Sequence, residues 1–260
     1  MWISSVRYGL KRFRLSYEGD TALVTIMLAQ NETGVVMPIA GIADVAHERG
    51  ALVHTDAAQA VGKIPTRVDD LGVDMLSIAG HKLYAPKEIG ALYVRRGTPI
   101  APVIVGAGQE YGMRPGTENV ASIVALGAAC EIALADLNRE AERQRLLRDK
   151  LWEILCTSIS HITLNGHERE RLPNTLNVSF PGVRGRGVLA ATPEVAASTG
   201  SACHEGGESP SAVLLAMGRD EQTALGAVRL SIGRFTTEEQ IEKAAHALVQ
   251  GYRRARSTTS

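Results

Sequence analysis

"LVTIMLAQNETGVVMPIAGIADVAHERGALVHTD", residues 23–56, decides the fold. Leu23 to Ala29 is an unbroken apolar run with β-branched members, which reads as a buried strand. Pro38 opens a helix whose Ile39, Ile42, Ala43 and Ala46 share a face, and Gly50 closes it. Ala51 to Thr55 is the next strand, with Asp56 at its carboxyl end. Strand, helix, strand at this spacing predicts a parallel sheet with helical crossovers. Ligands of such sheets bind beyond the carboxyl ends of the strands. Asn31 and Asp56 both stand there.

Working outward, Leu71 to Ile78 predicts another strand, and "GHK" at 80–82 follows it. Ile89 to Val94 is a further apolar strand. A lysine directly after a buried strand has two readings. Lys82 either snorkels out of a loop or holds its amine in a cleft for covalent chemistry. From Val120 to Ile159 the pattern is helical, apolar first and then charged, long enough to be kinked or to bridge two domains. Short strands follow at Ile162–Leu164, Thr175–Phe180 and Val228–Ile232. A last helix starts at a capping box of Thr236 and Glu239. The expected organisation is an atypical segment over 1–20, part of an α/β domain over 21–157 including the long helix, and a smaller α+β domain over 158–260.

Composition excludes several classes. Apolar residues make up 45% and charged residues 22% of the 260, as in a globular protein. Lys and Arg number 28 against 28 Asp and Glu, so no net field points to nucleic acid. No uninterrupted apolar run approaches the ~18 residues of a membrane span. Three scattered cysteines argue against a disulfide framework and fit a reducing compartment such as the cytoplasm. Neither CxxC nor HExxH occurs, and no metal site is expected.

A reactive lysine is most useful as a Schiff base to a carbonyl cofactor, pyridoxal 5'-phosphate being the common one. That chemistry needs a carboxylate at the pyridine nitrogen, and Asp56 sits at a suitable strand end; taken alone it reads equally as a turn aspartate. Gln59 or Asn31 could serve near the phenolate oxygen. Arg229, alternating with Val228, Leu230 and Ile232, faces away from the apolar side and suits a substrate carboxylate. "ASTGSACHEGGESPS", residues 197–211, puts Cys203 among Ser, Gly and Ala, where a thiol can act as a nucleophile. His204 adjoins it without forming a dyad by that fact alone. Cys130 reads as a buried small hydrophobe.

Together these stretches resemble the cysteine desulfurases, a group that includes selenocysteine lyases, of the class V aminotransferases (fold type I). The matching pieces are "NETG" at 31–34, "VHTDAAQAVGK" at 53–63, "AGHKLYAPK" at 79–87, "GAGQEYGMRPGTENV" at 106–120, "LPNTLNVSF" at 172–180, "STGSACHEG" at 198–206 and "VRLSIGRFTTEEQI" at 228–241. The resemblance implies that Lys82 is the Schiff-base lysine and Asp56 the pyridinium partner. Gln59 and Asn31 match ring and O3′ contacts, and His81 a phosphate contact. Thr117 matches a threonine reaching the partner subunit's cofactor in a homodimer. Arg229 matches the substrate-carboxylate arginine, and Cys203 the thiol that takes sulfur as a persulfide. L-cysteine would become L-alanine, with a sulfur-acceptor or iron-sulfur scaffold protein downstream. Selenocysteine cleavage is the near alternative. Kynurenine cleavage is disfavoured because it gives the Cys203 loop no role.

Three departures from the pattern stand out. Ala79 replaces a frequent Ser, and Glu88 a frequent Gly. The first twenty residues carry no phosphate loop of the family, so the chain reads as a C-terminal portion, with impaired catalysis or a binding or dimerisation role as the competing expectation.

Overall fold

A computed structural model describes residues 20–200 and 209–259. They form two compact units, one of residues 20–28 and 38–137, the other of residues 29–37 and 138 onward. The chain order is β1 (Leu23–Met27), α1 (Ile39–His47), β2 (Leu52–Asp56), α2 (Val68–Leu71), β3 (Met75–Ala79), β4 (Gly90–Val94) and α3 (Val120–Ser158). It continues through β5 (Thr163–Leu164), β6 (Thr175–Ser179), α4 (Gly185–Ala190), α5 (Ala212–Ala216), α6 (Glu221–Leu225), β7 (Ala227–Ser231) and α7 (Glu238–Thr259).

The first unit is built on a four-stranded sheet in the order β1-β2-β3-β4. Strands β1, β2 and β3 are parallel, and β4 returns antiparallel. The apolar face read from α1 is the buried one: Ile39, Ile42, Ala43, Val45 and Ala46 all lie within the core. Asp74 fastens the join between the strands. Its Oδ2 accepts from the Val53 N–H at 2.8 Å and pairs with His47 Nε2 at 2.9 Å.

Two boundaries differ from the sequence reading. Leu71 ends the short helix α2 instead of opening a strand, because Gly72 takes a left-handed φ of 66° and turns the chain. β3 therefore begins at Met75. The chain also leaves β1 at Met27, and residues 29–37 join the second unit.

That unit has a three-stranded antiparallel sheet, β5-β6-β7. Leu147, Leu151 and Leu155 of α3 and Ile241, Ala245 and Leu248 of α7 pack on Leu176, Val178, Val228 and Leu230. The Phe180 and Tyr252 rings meet tilted by 32°, with centroids 5.8 Å apart. The capping box of α7 stands one residue later than expected. Thr237 Oγ1 accepts from the Gln240 N–H at 3.2 Å, and the Thr237 N–H donates to Gln240 Oε1 at 3.0 Å. Gln serves as well as Glu at this position. Thr236 is committed elsewhere, its hydroxyl accepting from the Gly233 N–H at 3.0 Å.

The first half of α3 is unlike the second. Val120, Val124, Ile132 and Leu134 are exposed, Leu134 to 76%. By length and composition alone this helix is apolar enough to cross a membrane, a test that core helices pass as well; Glu131 and Asp136 lie along it. Leu23 and Met27 of β1 are exposed as well, whereas Met75 and Leu76 of β3 are buried. Apolar surface of this kind promotes association. Static light scattering should show concentration-dependent assembly, reduced by the double change Val124→Glu and Leu134→Glu.

Glu88, which stands where the resemblance leads one to expect Gly, has a left-handed φ of 68°. An L side chain in that region costs about 1–2 kcal/mol, partly offset by the greater backbone entropy loss of Gly. Glu88→Gly should stabilise the chain by roughly 0.5–1 kcal/mol, read as a raised midpoint in chemical denaturation.

Candidate active site

Parallel pairing brings the first group of residues to one edge. Met27 pairs with Asp56, and Asp56 with Ser77, so β1, β2 and β3 end side by side. Asp56 is the exposed last residue of β2. Its Oδ1 accepts from the Ala58 N–H at 2.8 Å, which is the turn role the sequence allowed. Lys82 lies on the 3-10 turn Gly80–Leu83 that follows β3 directly. Both Lys82 and His81 are exposed. A side chain at Gly80 would meet Ile89 at 2.8 Å, so the tight approach requires glycine.

Gln59 occupies the turn after β2, and a second lysine ties it to Lys82. Lys63 Nζ donates to the Gln59 carbonyl at 2.9 Å and to the Lys82 carbonyl at 3.4 Å. Burial, and then the charge of Lys82, lower the Lys63 pKa to about 8. Beneath Asp56 a polar chain crosses the sheet: Thr25 Oγ1 pairs with His54 Nδ1 at 2.7 Å, and His54 Nε2 with Ser77 Oγ at 2.7 Å. Sequence reasoning missed both features. His54, Thr25 and Ser77 alternate with apolar neighbours, and that alternation was the available signal. Thr117 lies in the exposed stretch before α3.

Asn31 and Arg229 belong to the second unit. Arg229 Nη1 donates to the Asn31 carbonyl at 3.0 Å. Its backbone pairs with Ser198, the Arg229 N–H donating to the Ser198 carbonyl at 2.7 Å. Ser211 Oγ donates to Glu32 Oε2 at 2.7 Å. Ser198 and Ser211 flank the stretch containing Cys203. Cys203 itself, with His204, lies outside the described residues. Cys130 is half-buried beside Leu83 and Leu126, and burial raises its thiol pKa, as expected of a packing cysteine. The structure thus gathers Asp56, Gln59, His81 and Lys82 in one unit and Asn31 with Arg229 in the other.

An exposed amine and a carboxylate at adjacent parallel strand ends suit a carbonyl cofactor with a basic ring nitrogen. The comparisons with known proteins agree. A cysteine desulfurase of Trichormus azollae is 45% identical over 250 residues, covering 95% of this chain and 62% of its own length. A solved NifS-like protein superposes with a TM-score of 0.84 at 36% identity, covering 93% of this chain and 64% of that one. A structure described as SspA in complex with cysteine has a TM-score of 0.72 at 35% identity, covering 88% and 63%. This chain therefore spans about 62% of the length of that first relative. The family profile for aminotransferase class-V matches residues 4–244, and with the lysine and aspartate on neighbouring strand ends where that chemistry needs them, the chain belongs to the class-V aminotransferase family.

Proposed function

We propose that this chain carries the cysteine-desulfurase reaction, converting L-cysteine to L-alanine with sulfur passed to Cys203 as a persulfide. The observation that carries the reading is the placement of Lys82 and Asp56 at the carboxyl ends of adjacent parallel strands. The relatives named above support the substrate. Pyridoxal 5'-phosphate fits these residues. Lys82 would hold it through its amine, Asp56 would keep its ring nitrogen protonated, and Gln59, Asn31 and His81 would contact its oxygens. When bound, it supplies an electron sink at the substrate α-carbon.

The chain's own groups do the rest. Arg229 and Asn31 orient the substrate carboxylate. Lys82 Nζ moves the α-proton. Cys203 thiolate attacks the substrate sulfur; the S–S bond forms as the Cβ–S bond breaks, and its electron pair ends on carbon, where protonation gives alanine. The thiol proton and the bond electrons balance, so no outside oxidant is required. A homodimer, in which Thr117 would reach the partner's cofactor, a cytoplasmic location and a sulfur-acceptor or iron-sulfur scaffold protein belong to the same proposal. The exposed apolar positions of α3 favour the dimer.

Borohydride reduction in the presence of pyridoxal 5'-phosphate should label Lys82. Lys63, whose pKa burial lowers to about 8, offers a competing amine at pH 8. It is nevertheless committed to two carbonyls, and label on Lys63 or on neither lysine would overturn the assignment and favour a binding or dimerisation role.

Cys203→Ser should keep any cofactor absorbance and abolish sulfide release from L-cysteine, because a hydroxyl is a poor acceptor of sulfane sulfur. Unchanged release would assign the extraction to another group. Selenide release that survives while sulfide release is lost would favour selenocysteine as substrate.

A further inference from the structure

We propose that Gln30 is a positioning residue that sets the orientation of the Asn31 carboxamide, presenting its Nδ2 hydrogens as donors to an anionic oxygen. The inference rests on the reading of Asn31 as a ligand contact and goes beyond it.

The argument starts from groups whose direction is fixed. The backbone N–H of Glu32 lies 2.6 Å, and that of Thr33 2.7 Å, from one terminal atom of Gln30. A backbone N–H can only donate, so that atom is the oxygen, Oε1. Thr33 Oγ1 adds a third donor at 3.2 Å. The other terminal atom of Gln30 is then the amide nitrogen. It stands 3.1 Å from the end of the Asn31 side chain, which must accept. Asn31 therefore turns Oδ1 toward Gln30, and Nδ2 is the end left over. The usual ambiguity of a carboxamide is resolved here by two peptide groups.

The backbone under Asn31 has little freedom to compensate. Four successive carbonyls accept from other residues of the same unit: Asn31 from Arg229 Nη1 at 3.0 Å, Glu32 from Asn177 Nδ2 at 3.1 Å, Thr33 from Arg171 Nη2 at 3.0 Å and Gly34 from the Leu172 N–H at 2.8 Å. Gly34 has φ 76°, and a Cβ there would meet Thr175 Cβ at 2.8 Å. With the main chain held on one side and Gln30 bonded on the other, only the Nδ2 end of Asn31 is left uncommitted among the described residues. A donor there matches the cofactor's phenolate or the substrate's carboxylate, and an acceptor would repel either.

Gln30→Glu separates this role from a structural one. The carboxylate still accepts from both N–H groups, so the thermal midpoint should stay near that of the unchanged chain. It cannot donate, so Asn31 reverses and offers Oδ1 outward. Pyridoxal 5'-phosphate affinity, by fluorescence titration, should weaken roughly tenfold or more, or the L-alanine affinity of the loaded chain should do so; the arm that moves identifies which oxygen is bound. Asn31→Ala should weaken the same ligand in the original background and do little in Gln30→Glu, since the two act as a unit. Loss of affinity in Asn31→Ala with none in Gln30→Glu overturns the role of Gln30 alone. No loss in Asn31→Ala overturns the contact on which it rests. A direct measurement needs no variant that must fold. In ¹⁵N-asparagine-labelled chain, the Asn31 side-chain NH2, assigned by its absence in Asn31→Ala, should exchange with solvent at the rate of a free carboxamide. Slow exchange without any ligand would mean that Nδ2 is already bonded, and the proposal fails.

Discussion

Parallel pairing of β1, β2 and β3 is the constraint from which the site follows. Parallel strands need a crossover between them, and each crossover returns the chain to the same starting edge. The carboxyl ends therefore gather on the opposite edge whatever the residues there are. Pairing of Met27 with Asp56 and of Asp56 with Ser77 fixes the level at which they end. One residue of slip would move Asp56 to the other face of the sheet. The short turn at Gly80–Leu83 then delivers Lys82 within a few residues of β3. Lys63 links the two turns by donating to both.

The second unit solves a different problem. A non-regular segment, residues 29–37, must be held in a fixed shape without belonging to a sheet. Isolated bridges at Ala29–Val36 and Val35–Arg171 supply part of the restraint. Side chains supply the remainder, and Arg171 is the extreme case. It is buried, donates to the Thr33 and Asn165 carbonyls, and has no partner for Nε among the described residues. Burial, with the charge of Arg148 adding to it, depresses its pKa to about 10. Burying a guanidinium is costly unless it is hydrogen-bonded, and its two carbonyl bonds offset part of that cost.

Much of this was legible from residues alone, and what was not has physical causes. The apolar face of α1 and the strands β2, β6 and β7 follow from periodicity, which depends only on local geometry. Lys82 and Asp56 were visible as charged groups at the ends of apolar strands, and Arg229 as a charge alternating with apolar residues inside one. The capping box slipped by one because Thr236 and Thr237 are both chemically able to cap, and only the Gly233 turn decides between them. The strand predicted from Leu71 failed at Gly72, whose left-handed turn ends a helix too short for periodicity to show. Gln30 and Lys63 went unread as site residues because their roles consist of bonds to backbone carbonyls and N–H groups. Those partners exist only once the chain is folded.

The two halves of α3 respond to their medium in opposite ways. Its second half carries surface ion pairs, Arg145 with Glu142 and Asp149 and Arg143 with Glu140. Exposed pairs of this kind contribute little and are screened as ionic strength rises. The first half exposes Val124, Ile132 and Leu134 instead, and salts of the sulfate type strengthen the tendency of such surface to be covered. Raising that salt therefore loosens the charged end of the helix while driving its apolar end toward a neighbour, so one rod of chain couples the electrolyte around it to its state of assembly.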